Sequence, residues 1–110
     1  MLSGGSSWTI STTSTWQGGT IWAVVASNCP SSCNALGPSS GVTQFEFTLN
    51  GGYSGMDNYD VSSAAGFNMP VLGSPSSSQC SPVSCGFATC PSVEATCSYG
   101  TNYVVYFSPS

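Results

Sequence analysis

Apolar and polar residues alternate one for one along several short stretches of this chain. In "QFEFTLN", Phe45, Phe47 and Leu49 share one face while Gln44, Glu46 and Thr48 share the other. In "SWTISTTSTW", Trp8, Ile10 and Thr12 oppose Thr9, Ser11, Thr13 and Thr15. Around residue 60 the same period sets Asp60 and Ser62 against Tyr59 and Val61. Two further runs, "TIWAVVA" and "NYVVYF", are nearly continuous β-branched and aromatic strands. A period of two belongs to extended backbone, where successive side chains point to opposite faces. No long window keeps apolar residues at helical spacing, and Gly or Pro interrupts most of them. The clusters "GG", "NGG", "GPSSG" and "GSPSSS" read as turns between strands. Many short strands with such punctuation predict an all-β sandwich or barrel with little or no helix.

At 110 residues the chain has material for one core, so residues 1–110 are expected to form a single domain. Disorder is a poor description, because three Trp, five Tyr and five Phe are too many for a solvated tail. The chain has no Lys, Arg or His and a formal charge of −4. Nothing in it could neutralise a phosphate, which excludes nucleic acid as a partner, and anionic membrane surfaces for the same reason. No apolar run approaches the length of a membrane-spanning helix. Six cysteines in so small a chain predict disulfides and an oxidising, extracellular compartment. A zinc site would need histidines or paired CxxC knuckles, and Cys29, Cys33, Cys80, Cys85, Cys90 and Cys97 provide neither. No metal and no cofactor is expected. The opening "MLSGGSSW" has no basic or apolar region of a secretion signal. An extracellular chain is then expected to have lost its leader, with Met1 an added start, or to be a mature fragment.

Three of the four charges, Glu46, Asp57 and Asp60, fall within residues 44–62, and Glu94 is the fourth. The alternation places Glu46 and Asp60 on the polar faces of their strands. If those strands are neighbours, two carboxylates share one solvent-facing surface, expected within about 10 Å of each other. Tyr53 is a candidate aromatic beside them, and Asp57 lies close by. Paired carboxylates flanked by aromatics are what a sugar-binding or sugar-cleaving groove uses. The plainer alternative is that acids on a polar face only keep a sheet soluble. The hydroxyl row Thr9, Ser11, Thr13, Thr15 raises ice binding as a minor alternative.

The stretch "FEFTLNGGYSGMDNYDVSSAAGFNMPVLGSP" resembles the signature region of thaumatin-like proteins: an acid-Phe-x-Leu-Asn strand, Asp-x-x-Asp-x-Ser, then Gly-Phe-Asn-x-Pro and Ser-Pro. "GSSWTI" with "GGTIWA" is similar to the family's second segment, "QCSPVSCGFATCP" to its Cys-rich loop and "TCSYGTNYVVYFSP" to its terminal strand. Blocks in register over nearly the whole chain imply the family's antiparallel β-sandwich core. Against the family pattern, the first strand with its cysteine is missing, and Ser108 in "FSP" stands where the family has that cysteine's partner. The family's second, disulfide-rich domain is missing between Pro91 and Thr96. Carried over from the family, the pairing Cys80–Cys97 is implied. Cys85 and Cys90 match positions whose partners lay in the missing domain and are expected to bond each other, leaving Cys29–Cys33. The Cys80–Cys97 loop should contribute roughly 3 kcal/mol in the chain-entropy model.

Thaumatin-like proteins carry an acidic cleft, usually described by one Arg, one Glu and three Asp, that binds and in some members weakly hydrolyses β-1,3-glucans. Glu46 matches the Glu and Asp60 the first Asp. The next Asp falls on Ala65, the Arg within "AVVAS", and the last Asp in the missing domain, so two of the five are present. The resemblance thus implies a secreted protein that binds β-1,3-glucan through a reduced cleft of Glu46, Asp60, Asp57 and Tyr53. Glu46 and Asp60 are the candidates for any residual catalysis, and a weak glucanase is the lesser alternative. A self-assembling structural extracellular protein is another, since residues 102–107 form an uncharged strand without Lys or Pro to guard a sheet edge. Self-association as a dimer or filament is expected at Tyr103 to Phe107 or through the N-terminal segment, unless "MLSGGSSWTI" covers that edge.

Overall fold

The computed structural model describes residues 15–24, 41–51, 55–91 and 93–108, together with Thr9. Among these residues seven strands follow in order: β1 (Trp16–Ile21), β2 (Gln44–Leu49), β3 (Asp57–Ser62), β4 (Val71–Pro75), β5 (Val83–Cys85), β6 (Ala95–Cys97) and β7 (Tyr103–Phe107). They form two antiparallel sheets, one ordered β1-β2-β3-β6 and the other β5-β4-β7. The expected all-β, antiparallel sandwich is what the chain builds, with no helix of membrane-spanning length among the described residues.

The core lies between the sheets and follows the alternation. Phe45 and Phe47 from β2, Tyr59 and Val61 from β3, Val71 from β4 and Val83 from β5 all point inward and are buried. The rings of Phe45 and Phe47 stack at 5.6 Å between centroids. Glycine lets the sheets approach: a Cβ on Gly73 would sit 2.5 Å from Phe45 Cε1. Direct ties cross the sandwich, among them the Tyr59 hydroxyl of β3 donating to the Ser81 carbonyl ahead of β5 at 2.6 Å. Cys80, before β5, is bonded to Cys97 of β6 with Cα atoms 5.6 Å apart. Tyr103 of β7 donates from its hydroxyl to Asp57 Oδ2 of β3 at 2.7 Å. A second disulfide, Cys85–Cys90, closes the turn after β5, and every cysteine among the described residues is cross-linked. Cys29 and Cys33 lie outside the described residues.

Two turn assignments are corrected. Gly18 and Gly19, expected as a turn ahead of the strand in "TIWAVVA", lie inside β1, whose ladder begins at Trp16 and ends at Ile21. The register shifts between Trp16 and Gly19, and Gly18 has φ 67°, so the pair makes a β-bulge rather than a chain reversal. Glycine is also required at 19 because a Cβ there would run into the Phe47 ring. Likewise β4 continues through the Gly-Ser-Pro of "GSPSSS" to Pro75, opposite Tyr103. Pro75 lies past the last β4–β5 pair at Gly73–Val83, and its pair with Tyr103 alternates with the hydrogen-bonded one at Ser76–Asn102. Its missing N–H therefore deprives neither neighbouring strand.

The Gly-Phe-Asn-x-Pro segment positions the crossover from β3 to β4. Asn68 Nδ2 donates to the Ala23 carbonyl at 2.7 Å, and Asn68 Oδ1 accepts from the Thr43 N–H at 2.9 Å. The fully buried Thr43 hydroxyl donates in turn to the Met69 carbonyl at 2.8 Å. One amide thus joins the approaches to β2 and β4 to the segment after β1.

Candidate functional site

The outer face of the first sheet carries the acids. Glu46 and Asp60 are direct Cα partners across β2 and β3, and Thr20 of β1 is the partner of Glu46. In β6, Ala95 pairs with Tyr59, so the next step of that register sets Glu94 beside Asp60. The result is a row across β1, β2 and β3, Thr20, Glu46 and Asp60, which Glu94 extends from just before β6. One step along the strands, Thr48, Asn58 and Thr96 form a parallel polar row.

These rows border a groove of about 300 Å³ whose lining includes Thr20, Glu46, Thr48, Asn58, Asp60 and Glu94. Gly18 and Gly19 form its β1 side, where the Gly18 N–H donates to Thr48 Oγ1 at 3.1 Å. The bulge therefore serves the site as well as the core, since Gly18 leaves the flank of the groove without a side chain while Gly19 makes room for Phe47. Asn58 Oδ1 is buried with no hydrogen-bond partner among the described residues. Among the described residues, every one that lines the groove comes from the first sheet or the approach to β6, and together they form a trough on that sheet.

Directly opposed like charges destabilise a strand pair. The chain has no Lys, Arg or His to offset Glu46, Asp60 and Glu94. The face is therefore electrostatically costly, more so than a scatter of acids serving solubility would be. Among the described residues, no group of three or more acids, Cys or His is close enough to hold a metal ion.

Asp57 does not join this face. It is fully buried, with Oδ1 accepting from the Asn50 N–H at 2.8 Å and Oδ2 from the Tyr103 hydroxyl. Period two explains the correction: Asp57 is in phase with the inward Tyr59 and Val61, not with Asp60. Its carboxylate fixes the β2–β3 turn, where Asn50 adopts φ 55°, and holds the two sheets together. Tyr53 lies outside the described residues, as do Ser11 and Thr13 of the hydroxyl row. Glu94 was not singled out by the sequence pattern. The signal for it is the register of β6 on β3, which three residues with no alternating neighbours do not disclose.

Ala65, where the family pattern has its next Asp, packs its backbone instead: its carbonyl accepts from the Gly41 N–H. A Cβ on the adjacent Gly66 would overlap the Gly41 backbone, so the "AAGFN" turn is built for close approach. No curated protein and no solved structure matches the chain significantly. The Thaumatin family model matches residues 1–104, nearly the whole sequence, and members of that family are generally secreted. With the sandwich, the acid-bearing β2–β3 pair and the Cys80–Cys97 tie in place, the chain belongs to the thaumatin family.

Proposed function

We infer that this is a secreted, non-catalytic carbohydrate-binding protein whose acidic groove takes β-1,3-glucan-type polysaccharide along the outer face of the first sheet. The observation that carries this reading is the convergence of Glu46, Asp60 and Glu94, three of the chain's four carboxylates, on one groove. Carboxylates accept hydrogen bonds from sugar hydroxyls, and such charge-assisted bonds are stronger than neutral ones. Thr20 and Thr48 add hydroxyls that both donate and accept. A sugar hydroxyl could also satisfy Asn58 Oδ1, whose unmet bond costs on the order of 1–3 kcal/mol.

Hydrolysis asks more of the same acids. One carboxyl must keep its proton while the other is ionised, and the two must flank a single glycosidic bond. Among the described residues the groove has one wall, which can hold a chain lying along it but does not enclose a bond.

The test is co-sedimentation with insoluble β-1,3-glucan. The wild-type chain is expected in the pellet, and Glu46→Gln/Asp60→Asn in the supernatant, with no reducing sugar released by either. Pelleting of the double variant at the wild-type level would reject the groove, and release of reducing ends that stops in that variant would make the protein an enzyme.

A further inference from the structure

We propose that β7 is a homodimerisation edge, at which two copies join by antiparallel β7–β7′ pairing about a two-fold axis at Val105. The proposal does not depend on the glucan reading, because it uses the opposite sheet.

Among the described strands, β7 pairs only with β4 and forms one edge of the three-stranded sheet. The ladder shows which backbone groups it leaves over. Just beyond the strands, the Ser76 N–H donates to the Asn102 carbonyl and the Ser108 N–H to the Pro70 carbonyl. These positions belong to the same register as Ser74–Val104 and Leu72–Tyr106, so Val104 and Tyr106 bond toward β4. The N–H and C=O groups of Tyr103, Val105 and Phe107 then point away from β4 along the free edge.

A second β7 matches that pattern. With Val105 opposite Val105 of the other copy, Tyr103 faces Phe107, and all three are hydrogen-bonded positions. Every N–H and C=O on the free edge meets a complementary group on the symmetry mate, as an isologous interface requires. Val104 and Tyr106 then oppose each other as non-hydrogen-bonded pairs, where side chains come closest. β-Branched against aromatic is a favourable cross-strand combination. Both residues are exposed at 52%, and Leu72 beside Tyr106 on β4 at 39%. Joining the edges would gather these side chains into one surface continuous across both copies.

Charge permits the approach. β4, β5 and β7 contain no Asp, Glu, Lys, Arg or His, while Glu46, Asp60 and Glu94 line a groove on the other sheet. Two copies meeting at β7 therefore bring no like charges together at the contact. Edges are usually guarded by Lys, Pro or an inward charge, and β7 has none of these.

The test is sedimentation of the full chain from about 1 μM to about 1 mM, the range over which an edge contact of moderate strength would titrate. A reversible monomer–dimer equilibrium is expected. Val104→Lys/Tyr106→Lys places like charges opposite one another across the axis and should weaken the dimer about tenfold or more. Both side chains are exposed, so the variant should keep its fold, checked by circular dichroism and intact disulfides. Hydrogen exchange on the wild type gives an independent reading. Amides of Tyr103, Val105 and Phe107 should gain protection as the dimer forms, while those of Val104 and Tyr106 stay protected throughout. A monomer at every concentration overturns the proposal, as do larger assemblies indifferent to the lysine pair. Edge amides already protected in the monomer overturn it too, and would mean that the chain covers β7 with its own residues.

Discussion

Asp57 is a buried carboxylate in a chain without a single cationic side chain, so hydrogen-bond donors must replace the water it loses. The Asn50 N–H and the Tyr103 hydroxyl supply them, and the second of these crosses from sheet to sheet. Tyr103→Phe keeps the ring on Tyr59, 5.0 Å away between centroids, and deletes only that donor. Bonds to charged groups are worth about 1.5–3 kcal/mol, so the variant should unfold at a lower urea midpoint by that amount of free energy. The same contacts set the response to alkali. Burial, then the bond and the charge of Asp57, push the Tyr103 phenol far above its ordinary 10.0, and burial with the Asp57 charge raises Tyr59 as well. Unfolded tyrosines lose their protons near pH 10, whereas these two hold theirs in the native state. Stability should therefore be full below about pH 10 and fall as pH rises beyond it. Urea midpoints measured across that range check this, and in Tyr103→Phe the alkaline slope should be shallower. A wild-type midpoint unchanged to about pH 11 would contradict it.

At the scale of strands, legibility depended on how long the alternation lasted. β2 could be read directly, because six residues of period two fix both the element and its inward face, while β7 was legible as an element from its β-branched and aromatic run alone. The same period in β2 and β3 brought Glu46 and Asp60 to the outer face, and applied three residues before Asp60 it also sends Asp57 inward. β5 and β6 have three residues each, too few for any pattern, and with β6 went the placement of Glu94. β1 and β4 were obscured by their glycines, which serve in strands wherever a neighbouring ring needs the space, at Phe47 for Gly19 and at Phe45 for Gly73. Local turn chemistry was overruled there by packing that only the tertiary structure reveals. The β2–β3 pair also bears a conflict between stability and use. Like charges directly opposite cost a few tenths to about 1 kcal/mol, so Glu46→Gln should raise the melting temperature by a few degrees. If the groove binds glucan, the same variant should weaken retention on it. A melting temperature that falls instead would mean that Glu46 makes a stabilising contact outweighing the repulsion.

Over the whole molecule, the disulfide and the tyrosine–carboxylate bond perform one task at two points, locking a sheet that bears all the groove acids to a sheet that bears none. This separation of charge gives the protein an electric dipole across its thickness as well as a net negative charge. Interfaces should orient it accordingly. On a polycation film it should lie with the groove buried against the support and the β5-β4-β7 sheet facing solution. On an apolar film, Leu72, Val104 and Tyr106 should make contact instead and leave the groove outward. Soluble β-1,3-glucan offered to both films should then be captured on the apolar one and refused on the polycation. Equal capture on both would mean that adsorption is not steered by this dipole.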